Sequence, residues 1–420
     1  MIEIKIESKI NIVNNGISLY SLFPLYELFY KYDFDNLKFS LFVVWLMILV
    51  FSYIFDIFYN KLVIDLKPLK KYVRDCKTLK KYNRKKIYNE NPYISVCIPV
   101  LNMENFIEFN LLSIINQSLQ DFEIIIVNDA STDNTESIIK RIQLDDKRIK
   151  LLSHSKSLGV YRSRIESVLN SKSKYILLMD PDDMYLNENL FHDLYHYNLK
   201  INLDIVEFSV YRQNDGKNKI YSPDNDFETH FHKFDKNIIY QPELSDLLFY
   251  LPKTKKYSHT ICRNIWNKMI RKEIFFQLSY YIGKKYYNRN IITADDMLMN
   301  IISYQFANNY SNINLPGYLY NKRKKSMSRG GGRKLKNIRA KNYIFYFKIF
   351  YKYIKDFEKD INILYYEMKD LEHFVKKIKD YNMAKYIGIQ RNFIKQILKE
   401  NFLSFEFKSY LQNFLKFLQN

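Results

Sequence analysis

Three aspartates stand within four positions of the stretch YILLMDPDDMYL: Asp180, Asp182 and Asp183. They follow an apolar run at residues 175–179 that is suited to a buried strand. Carboxylate oxygens are the ligands that Mg²⁺ and Mn²⁺ prefer in proteins. The alternative is an acidic helix-capping turn, since Asp is favoured at N-caps, but three carboxylates exceed the need of one cap. The cluster therefore indicates a site at the end of a strand.

A second polar group, NDAST at residues 128–132, also follows an apolar run, FEIIIV. Ligands of open α/β sheets bind at the carboxyl ends of the strands, so we expect Asp129 and the first cluster on one rim. Neither GxGxxG nor GxxxxGK[ST] occurs in the sequence. A calcium loop is not favoured, because Asn134 and Lys140 take the places of its Gly and Glu.

The elements that must position these groups alternate between strand and helix. YISVCIPV, FEIIIV, IKLLSH, YILLM and LDIVEFSVY predict strands. ENFIEFNLLSIINQSL, STDNTESIIKRI, VYRSRIESVLN and LFHDLYHYNLK predict helices between or after them. Continuously apolar strands that alternate with helices indicate a parallel α/β sheet covered on both faces.

Composition sets the broad class of the protein. The chain has 420 residues, 47% hydrophobic residues and a formal charge of +20. We expect no nucleic acid partner, because the lysines belong to a chain-wide bias that also enriches Asn, Ile, Tyr and Phe. The three cysteines, Cys76, Cys97 and Cys262, predict no disulfide framework or zinc site, and Cys97 is expected to be a core thiol. His230 and His232 are read as part of a solvated loop rather than a metal site.

A membrane anchor is predicted near the N-terminus. Residues 39–55 contain no charged residue, and apolar residues continue to position 59. Their 17 residues lie at the short end of a bilayer-spanning helix. The position and the lack of a cleavage site disfavour a signal peptide, and a buried core helix is the alternative. We predict an N-terminal segment at 1–38, a transmembrane helix at 39–59 and a basic juxtamembrane stem at 60–92.

The charges beside this helix predict a single-pass orientation. Residues 61–90 carry eleven Lys and Arg, whereas residues 1–38 carry four. The positive-inside rule then places the main domain in the cytosol, with the basic stem near anionic headgroups. The alternative is a solvated stem on an enzyme of the endomembrane lumen.

The ordered motifs resemble a known family. ISVCIPVLNMENFIEFNLLSIINQSLQDFEIIIVNDASTDNT, LGVYRSR and YILLMDPDD resemble the family 2 glycosyltransferases, an inverting group, most strongly over residues 94–186. LDIVEF, IWNKMIRKEIF, TADDML and YLYNKRKKSMS continue the resemblance to about residue 328. It implies a GT-A (Rossmann-like), mostly parallel sheet flanked by helices at residues 93–328, followed by a helical C-terminal region at 329–420.

The resemblance implies donor-side roles for the strand-end aspartates. DPDD resembles the DxD motif, so Asp182 is the implied ligand of Mn²⁺ or Mg²⁺. The resemblance also implies that Asp180 contacts the ribose or the metal, and that Asp183 orients the donor sugar. Asp129 matches the aspartate that accepts a hydrogen bond from the uracil imide, with a helix N-cap as the alternative.

Four residues compare with the family's base-binding turns. Pro99 and Asn102 match the PxYN turn and are implied in nucleotide binding, but Leu101 stands where an aromatic residue is usual. Asn128 replaces the first of the usual paired aspartates. Apolar contact would then replace ring stacking on the base.

Two arginines are implied in binding the donor. Arg164 stands five residues after Gly159, as in the GxxxxRN element, although Ile165 replaces the Asn. It would bind the diphosphate or the nucleoside, with Arg162 as a rival. Arg323 lies in a segment resembling YRxRxxSxT and would contact the phosphates, or belong to a flexible linker.

The acceptor side is implied by two further motifs. TADDML matches the family's ED element at a helix start, so Asp296 is the implied catalytic base and Asp295 the next candidate. Charge complementing a helix dipole is the alternative. Trp266, in WNK, would stack on a sugar or belong to the core.

The C-terminal region repeats aromatic residues and lysines at near-helical spacing, as in YIFYFKIFYKYIKDFEKDINILYYEM. Amphipathic helices that pack on the catalytic domain are the favoured interpretation. The alternative is a membrane-surface helix with Lys at the headgroups.

These features predict a metal-dependent inverting glycosyltransferase of the hexosyl- or N-acetylhexosaminyl-transferring class. It would move a sugar from a nucleotide-sugar, UDP-sugar being favoured, to a glycan, lipid or protein acceptor. The alternative is a membrane-anchored relative that binds sugar nucleotide or glycan with weak catalysis, because the motifs depart at Leu101, Asn128 and Ile165.

Overall fold

The computed structural model describes most of the chain from residue 86 onward. The described residues are 86–214, 227–230, 238–247, 264–283, 287, 290–322, 333–370, 384–400 and 403–419. The predicted transmembrane helix and most of the basic stem lie outside this part, as do Cys76, Cys262, His232 and Arg323. Among the described helices, none is both long and apolar enough to cross a bilayer.

The described strands form one mixed sheet. They are β1 (Ile94–Val100), β2 (Phe122–Asn128), β3 (Ile149–Ser153), β4 (Tyr175–Leu178), β5 (Met184–Tyr185), β6 (Ile205–Asn214), β7 (Phe227–His230), β8 (Ile239–Tyr240), β9 (Lys268–Arg271) and β10 (Asn309–Lys322). The order along the sheet is β3-β2-β1-β4-β9-β6-β10-β5, with β7 beside β6 and β8 beside β10.

Helices cover the two faces of this sheet. They are α1 (Ile107–Ile115), α2 (Thr135–Asp145), α3 (Val160–Leu169), α4 (Leu190–Ile201), α5 (Glu243–Leu247), α6 (Lys272–Ile282), α7 (Asp295–Phe306), α8 (Arg333–Asp356), α9 (Asn362–Asp370), α10 (Ala384–Ile397) and α11 (Phe405–Gln419).

The sheet is parallel only in part, which corrects the mostly parallel sheet expected from the sequence. β1 pairs in parallel with β2 and β4, and β2 pairs in parallel with β3. β9 then runs antiparallel between β4 and β6, and β10 is parallel to β6 but antiparallel to β5. The apolar runs predicted the parallel strands of the first half, whereas no pattern in the sequence predicted the direction of the four-residue β9.

The parallel strands are buried on both faces, and their register creates the functional rim. All seven residues of β1 are buried, as expected of a strand covered by helices on each side. Val100 pairs with Asn128 at the carboxyl ends of β1 and β2. The backbone N–H of Asp129 donates to the Val100 carbonyl at 2.8 Å, so the loops that follow both strands begin side by side.

The C-terminal helices share a core with the sheet. Tyr346, Phe350 and Tyr353 of α8 are fully buried and stack in series at 5.7 and 5.9 Å between ring centroids. They belong to the same apolar cluster as Cys97 in β1 and residues of α3, α6 and α7. The aromatic face of α8 therefore packs on the domain and is not available to a membrane surface.

Candidate active site

A cavity of about 450 Å³ opens at the carboxyl rim of the sheet, a size common among small-molecule sites. The predicted site residues that line it are Pro99, Asp129, Arg164, Asp180, Asp182, Trp266, Asp295 and Asp296. Leu101 lines it as well, whereas Asn102 and Asp183 do not. Residues from the loops after β1, β2 and β4 and from the start of α7 thus meet in one place.

Asp129 is held by the loop that precedes α3. Its two carboxylate oxygens accept hydrogen bonds from Ser157 Oγ at 2.7 Å and from the N–H groups of Leu158 and Gly159 at 2.7 and 2.9 Å, and His154 Nδ1 lies at 2.7 Å. Burial opposes ionisation, but these hydrogen bonds outweigh it and lower the pKa of Asp129. The carboxylate is therefore already satisfied within the protein, and the predicted uracil contact requires one of these bonds to give way.

Asn102 has a structural position between the same loops. Its N–H donates to Ser131 Oγ at 3.0 Å, and its Oδ1 accepts from the Thr132 N–H at 2.8 Å. Its φ of 53° is left-handed, a conformation that Asn tolerates. Asn102 therefore shapes the rim between β1 and β2, and the cavity wall here comes from Pro99 and Leu101.

Gly159 closes this loop against the segment before α7. Its φ is 96°, and an added Cβ would lie 2.7 Å from Asn290 Oδ1 and 2.8 Å from the Ile291 carbonyl oxygen. We expect Gly159→Ala to lower the free energy of unfolding by about 3 kcal/mol, because clash adds to backbone strain. Gly283→Ala is the matched control, since its φ is 82° but the nearest atom would be 4.0 Å away. Urea unfolding of both variants should show the larger loss for Gly159→Ala, and equal losses would contradict the clash.

The three clustered aspartates have different environments. Asp180 and Asp182 line the cavity and are partly exposed. Asp183 is fully buried and accepts from the Tyr318 hydroxyl and the Asn321 N–H, both at 2.7 Å. Burial, reinforced by the neighbouring carboxylates of Asp182 and Asp180, raises the pKa of Asp183 well above its ordinary value. The structure thus ties Asp183 to β10 rather than to the cavity, where its predicted contact with the donor sugar would be made.

Arg164 joins the two acidic groups of the cavity. From α3, its Nη2 donates to Asp180 at 2.6 Å and its Nη1 to Asp295 at 2.5 Å, and Nη1 also contacts Asp296. Burial opposes the charge on Arg164, but the three carboxylates outweigh it and raise the pKa of the guanidinium well above its ordinary value. The arginine predicted to bind the donor is therefore an internal partner of the predicted base.

Asp295 and Asp296 differ in access to the cavity. The Asp295 side chain is 6% exposed and that of Asp296 is 31% exposed. Burial raises the pKa of Asp296 to about 7, against the opposing charge of Arg164 and with the support of the Asp295 and Asp180 carboxylates. A carboxylate with this access and this pKa is suited to accept a proton near neutral pH.

Trp266 forms an aromatic wall with β10. Its ring stacks on Tyr318 at 4.4 Å and on Tyr320 at 5.3 Å between centroids. Trp266 is buried but still lines the cavity together with Tyr320. Trp266 is therefore a core residue that also forms part of the cavity wall, and its stacking on a sugar stays a prediction.

Several residues of the site were not singled out from the sequence. His154 lies between Asp129 and Glu166, with Nε2 3.1 Å from Glu166 Oε2. Asn110 of α1 donates to the carbonyls of Asp180 and Asp183 at 3.0 and 2.9 Å and so fixes the acidic turn. His154 and Asn110 are isolated polar positions, so no sequence pattern indicated them. Lys322 also lines the cavity, together with Tyr320. The two-residue period of β10, which places both side chains on the same face, is a signal that could have indicated Lys322.

Comparison with solved structures establishes the class of fold. The chain resembles TarS 1–349 of S. aureus, whose structure was solved in complex with UDP, with a TM-score of 0.50 and 15% identity. The match covers 78% of this chain and 87% of that one. The protein thus has an α/β, GT-A-like fold with a mixed sheet flanked by helices.

Part of the chain is similar in sequence to known glycosyltransferases. Residues 95–277 match the model of Glycosyl transferase family 2. The chain is 24% identical over 238 residues to the uncharacterized glycosyltransferase EpsJ of Bacillus subtilis. It is 26% identical over 236 residues to glycosyltransferase GlyA of Streptococcus pneumoniae. The matches cover 56% of this chain in each case, and 63% of EpsJ and 31% of GlyA.

Proposed function

We propose that the protein is an inverting glycosyltransferase that moves a hexosyl or N-acetylhexosaminyl group from a UDP-sugar to a hydroxyl of a glycan, lipid or protein. The observation that carries this proposal is the convergence of Asp180, Asp182, Asp295 and Asp296 in one cavity. The UDP complex of the structural relative TarS supports a uridine donor. Attachment to a membrane through residues 39–59, with the domain in the cytosol, remains part of the proposal.

The chemistry assigned to this chain is a direct displacement. Asp296 accepts the proton of the acceptor hydroxyl while the acceptor oxygen bonds to the anomeric carbon. The bond from that carbon to the diphosphate breaks, and the nucleoside diphosphate leaves with the electron pair. Attack from the side opposite the leaving group inverts the anomeric centre, and the fixed positions of sugar and base lower the entropic part of the barrier.

A divalent cation fits the donor side of the cavity. Asp180 and Asp182, with one residue between them, would supply two hard oxygen ligands from a turn that Asn110 fixes. Mg²⁺ and Mn²⁺ commonly take one or two carboxylates from the protein and their other ligands from phosphate and water. Within the described residues, no cluster of three or more His, Cys, Asp or Glu could hold a metal. When bound, such an ion would neutralise charge on the leaving diphosphate.

The pKa of Asp296 predicts the pH dependence of transfer. Its value of about 7 reflects burial, and a general base works only when it is deprotonated. We expect kcat/KM to rise with pH through about 7 and then to level off. A profile from about pH 5.5 to 9, with UDP binding followed in parallel, checks this. A flat profile below pH 7, with the chemical step rate-limiting, would contradict Asp296 as the base.

The experiment that tests the function is UDP release from a panel of UDP-sugars in Mn²⁺. GDP- and CMP-sugars serve as donor controls, and release is measured with and without candidate acceptors. Metal-dependent release from one UDP-sugar, stimulated by an acceptor, supports a transferase. Binding that stabilises the protein in a thermal-shift assay without any release would instead support a sugar-nucleotide-binding relative.

A further inference from the structure

Arg164 is a buried cation shared by carboxylates from two separate parts of the chain. Its side chain is 4% exposed. Asp180 comes from the turn after β4, whereas Asp295 and Asp296 begin α7. Arg164 donates charge-assisted hydrogen bonds to Asp180 at 2.6 Å and to Asp295 at 2.5 Å. The guanidinium thus connects the donor side of the cavity to the proposed base.

These contacts leave little capacity for a donor phosphate. Three of the five N–H donors of Arg164 bond carboxylates. One N–H of Nη2 and the buried N–H of Nε remain. A diphosphate that approached these remaining N–H groups would meet the like charge of three carboxylates in a buried setting. The geometry therefore favours a partner of the protein's own carboxylates over a direct ligand of the donor.

The two oxygens of Asp296 are used differently. Oδ1 contacts Arg164. Within the described residues, no group donates a hydrogen bond to Oδ2. The Asp296 side chain is 31% exposed and lines the cavity. A carboxylate held through one oxygen keeps the other in a defined place for a proton. Small displacements of a catalytic group cost large factors in rate, so this restraint matters for turnover.

We propose that Arg164 is a positioning residue that aligns Asp296 for proton transfer and couples it to the donor-side turn through Asp180. The proposal rests on the proposed function, with Asp296 as the base. It predicts that Arg164 acts on kcat, through the base, rather than on the affinity for the donor. A direct phosphate ligand would do the opposite, since its loss raises donor KM and Kd.

The test is Arg164→Lys, with Arg148→Lys as the matched control. Both arginines are buried and donate through Nη2 to a carboxylate, but Arg148 bonds Asp146 at 2.7 Å and does not line the cavity. Lysine keeps the charge but cannot span three carboxylates with a planar fork. We expect Arg164→Lys to lower kcat about tenfold to hundredfold, with the Kd of UDP, measured calorimetrically in Mn²⁺, unchanged within about threefold. Arg148→Lys should keep both values near those of the wild type.

An unchanged kcat with a tenfold or greater rise in Kd would overturn the positioning role. If Arg164→Lys does not fold, Asp295→Asn is compared with the double variant Asp295→Asn/Arg164→Lys. Both variants lack one buried carboxylate, so the lysine has less buried negative charge to compensate. A further loss of kcat in the double variant supports the proposal, and equal kcat values overturn it. Failure of the proposed function is distinct, because the wild type itself would then release no UDP in the presence of any acceptor.

Discussion

Asp296→Asn is expected to lower the rate of sugar transfer by about a hundredfold to ten-thousandfold. The amide cannot accept the proton of the acceptor hydroxyl, whereas its shape allows the contact with Arg164 to be kept in part. The Kd of UDP should change little, because Asp296 is assigned to the acceptor. Single-turnover transfer, with UDP binding measured calorimetrically, separates the two effects.

The neighbouring Asp295 supplies the sharpest control for this prediction. It bonds the same arginine but its side chain is 6% exposed, so Asp295→Asn should retain more transfer than Asp296→Asn. Asp193→Asn, on the exposed surface of α4, should behave as the wild type. Full transfer by Asp296→Asn together with loss in Asp295→Asn would assign the base to Asp295.

Asp182→Asn is expected to weaken Mn²⁺-dependent binding of UDP by about a hundredfold. A carboxylate at the mouth of the acidic turn is a far better ligand for a hard cation than a neutral amide. Donor hydrolysis and transfer should fall together, because both need the charge of the leaving diphosphate to be neutralised. A titration of Mn²⁺ at fixed UDP, followed by thermal shift, measures the loss.

Asp183→Asn, one residue further on, provides the control with a different expected result. Asp183 is buried and bonds Tyr318 and Asn321, so its amide variant should lose about 1–3 kcal/mol of stability. Its Mn²⁺ dependence should remain that of the wild type. If Asp183→Asn loses the response to Mn²⁺ and Asp182→Asn retains it, the metal assignment is wrong.

Much of the first half of the fold could be predicted from local patterns. β1, β2 and β4 are short apolar runs, and residues that follow such strands meet at one rim when the strands are parallel. This is why the sequence predicts Asp129, Asp180 and Asp182 on one rim, and all three line one cavity in the structure. The second half was less predictable, because β9 is a four-residue strand whose direction depends on where the chain returns to the sheet.

The amino-acid sequence by itself determined which carboxylates follow strands, and that several strand ends would share a rim. Both follow from local properties, because a strand is recognised from an apolar run or a two-residue period. Only the tertiary structure decided which of these carboxylates are available. Asp183 turns into a hydrogen-bond network with β10, 135 residues away along the chain. Arg164 reaches Asp180, 16 residues away, and Asp295, 131 residues away. A long cationic side chain can pair with any carboxylate within its reach, so its partners follow from the packing of α3 against the start of α7, which no local pattern specifies.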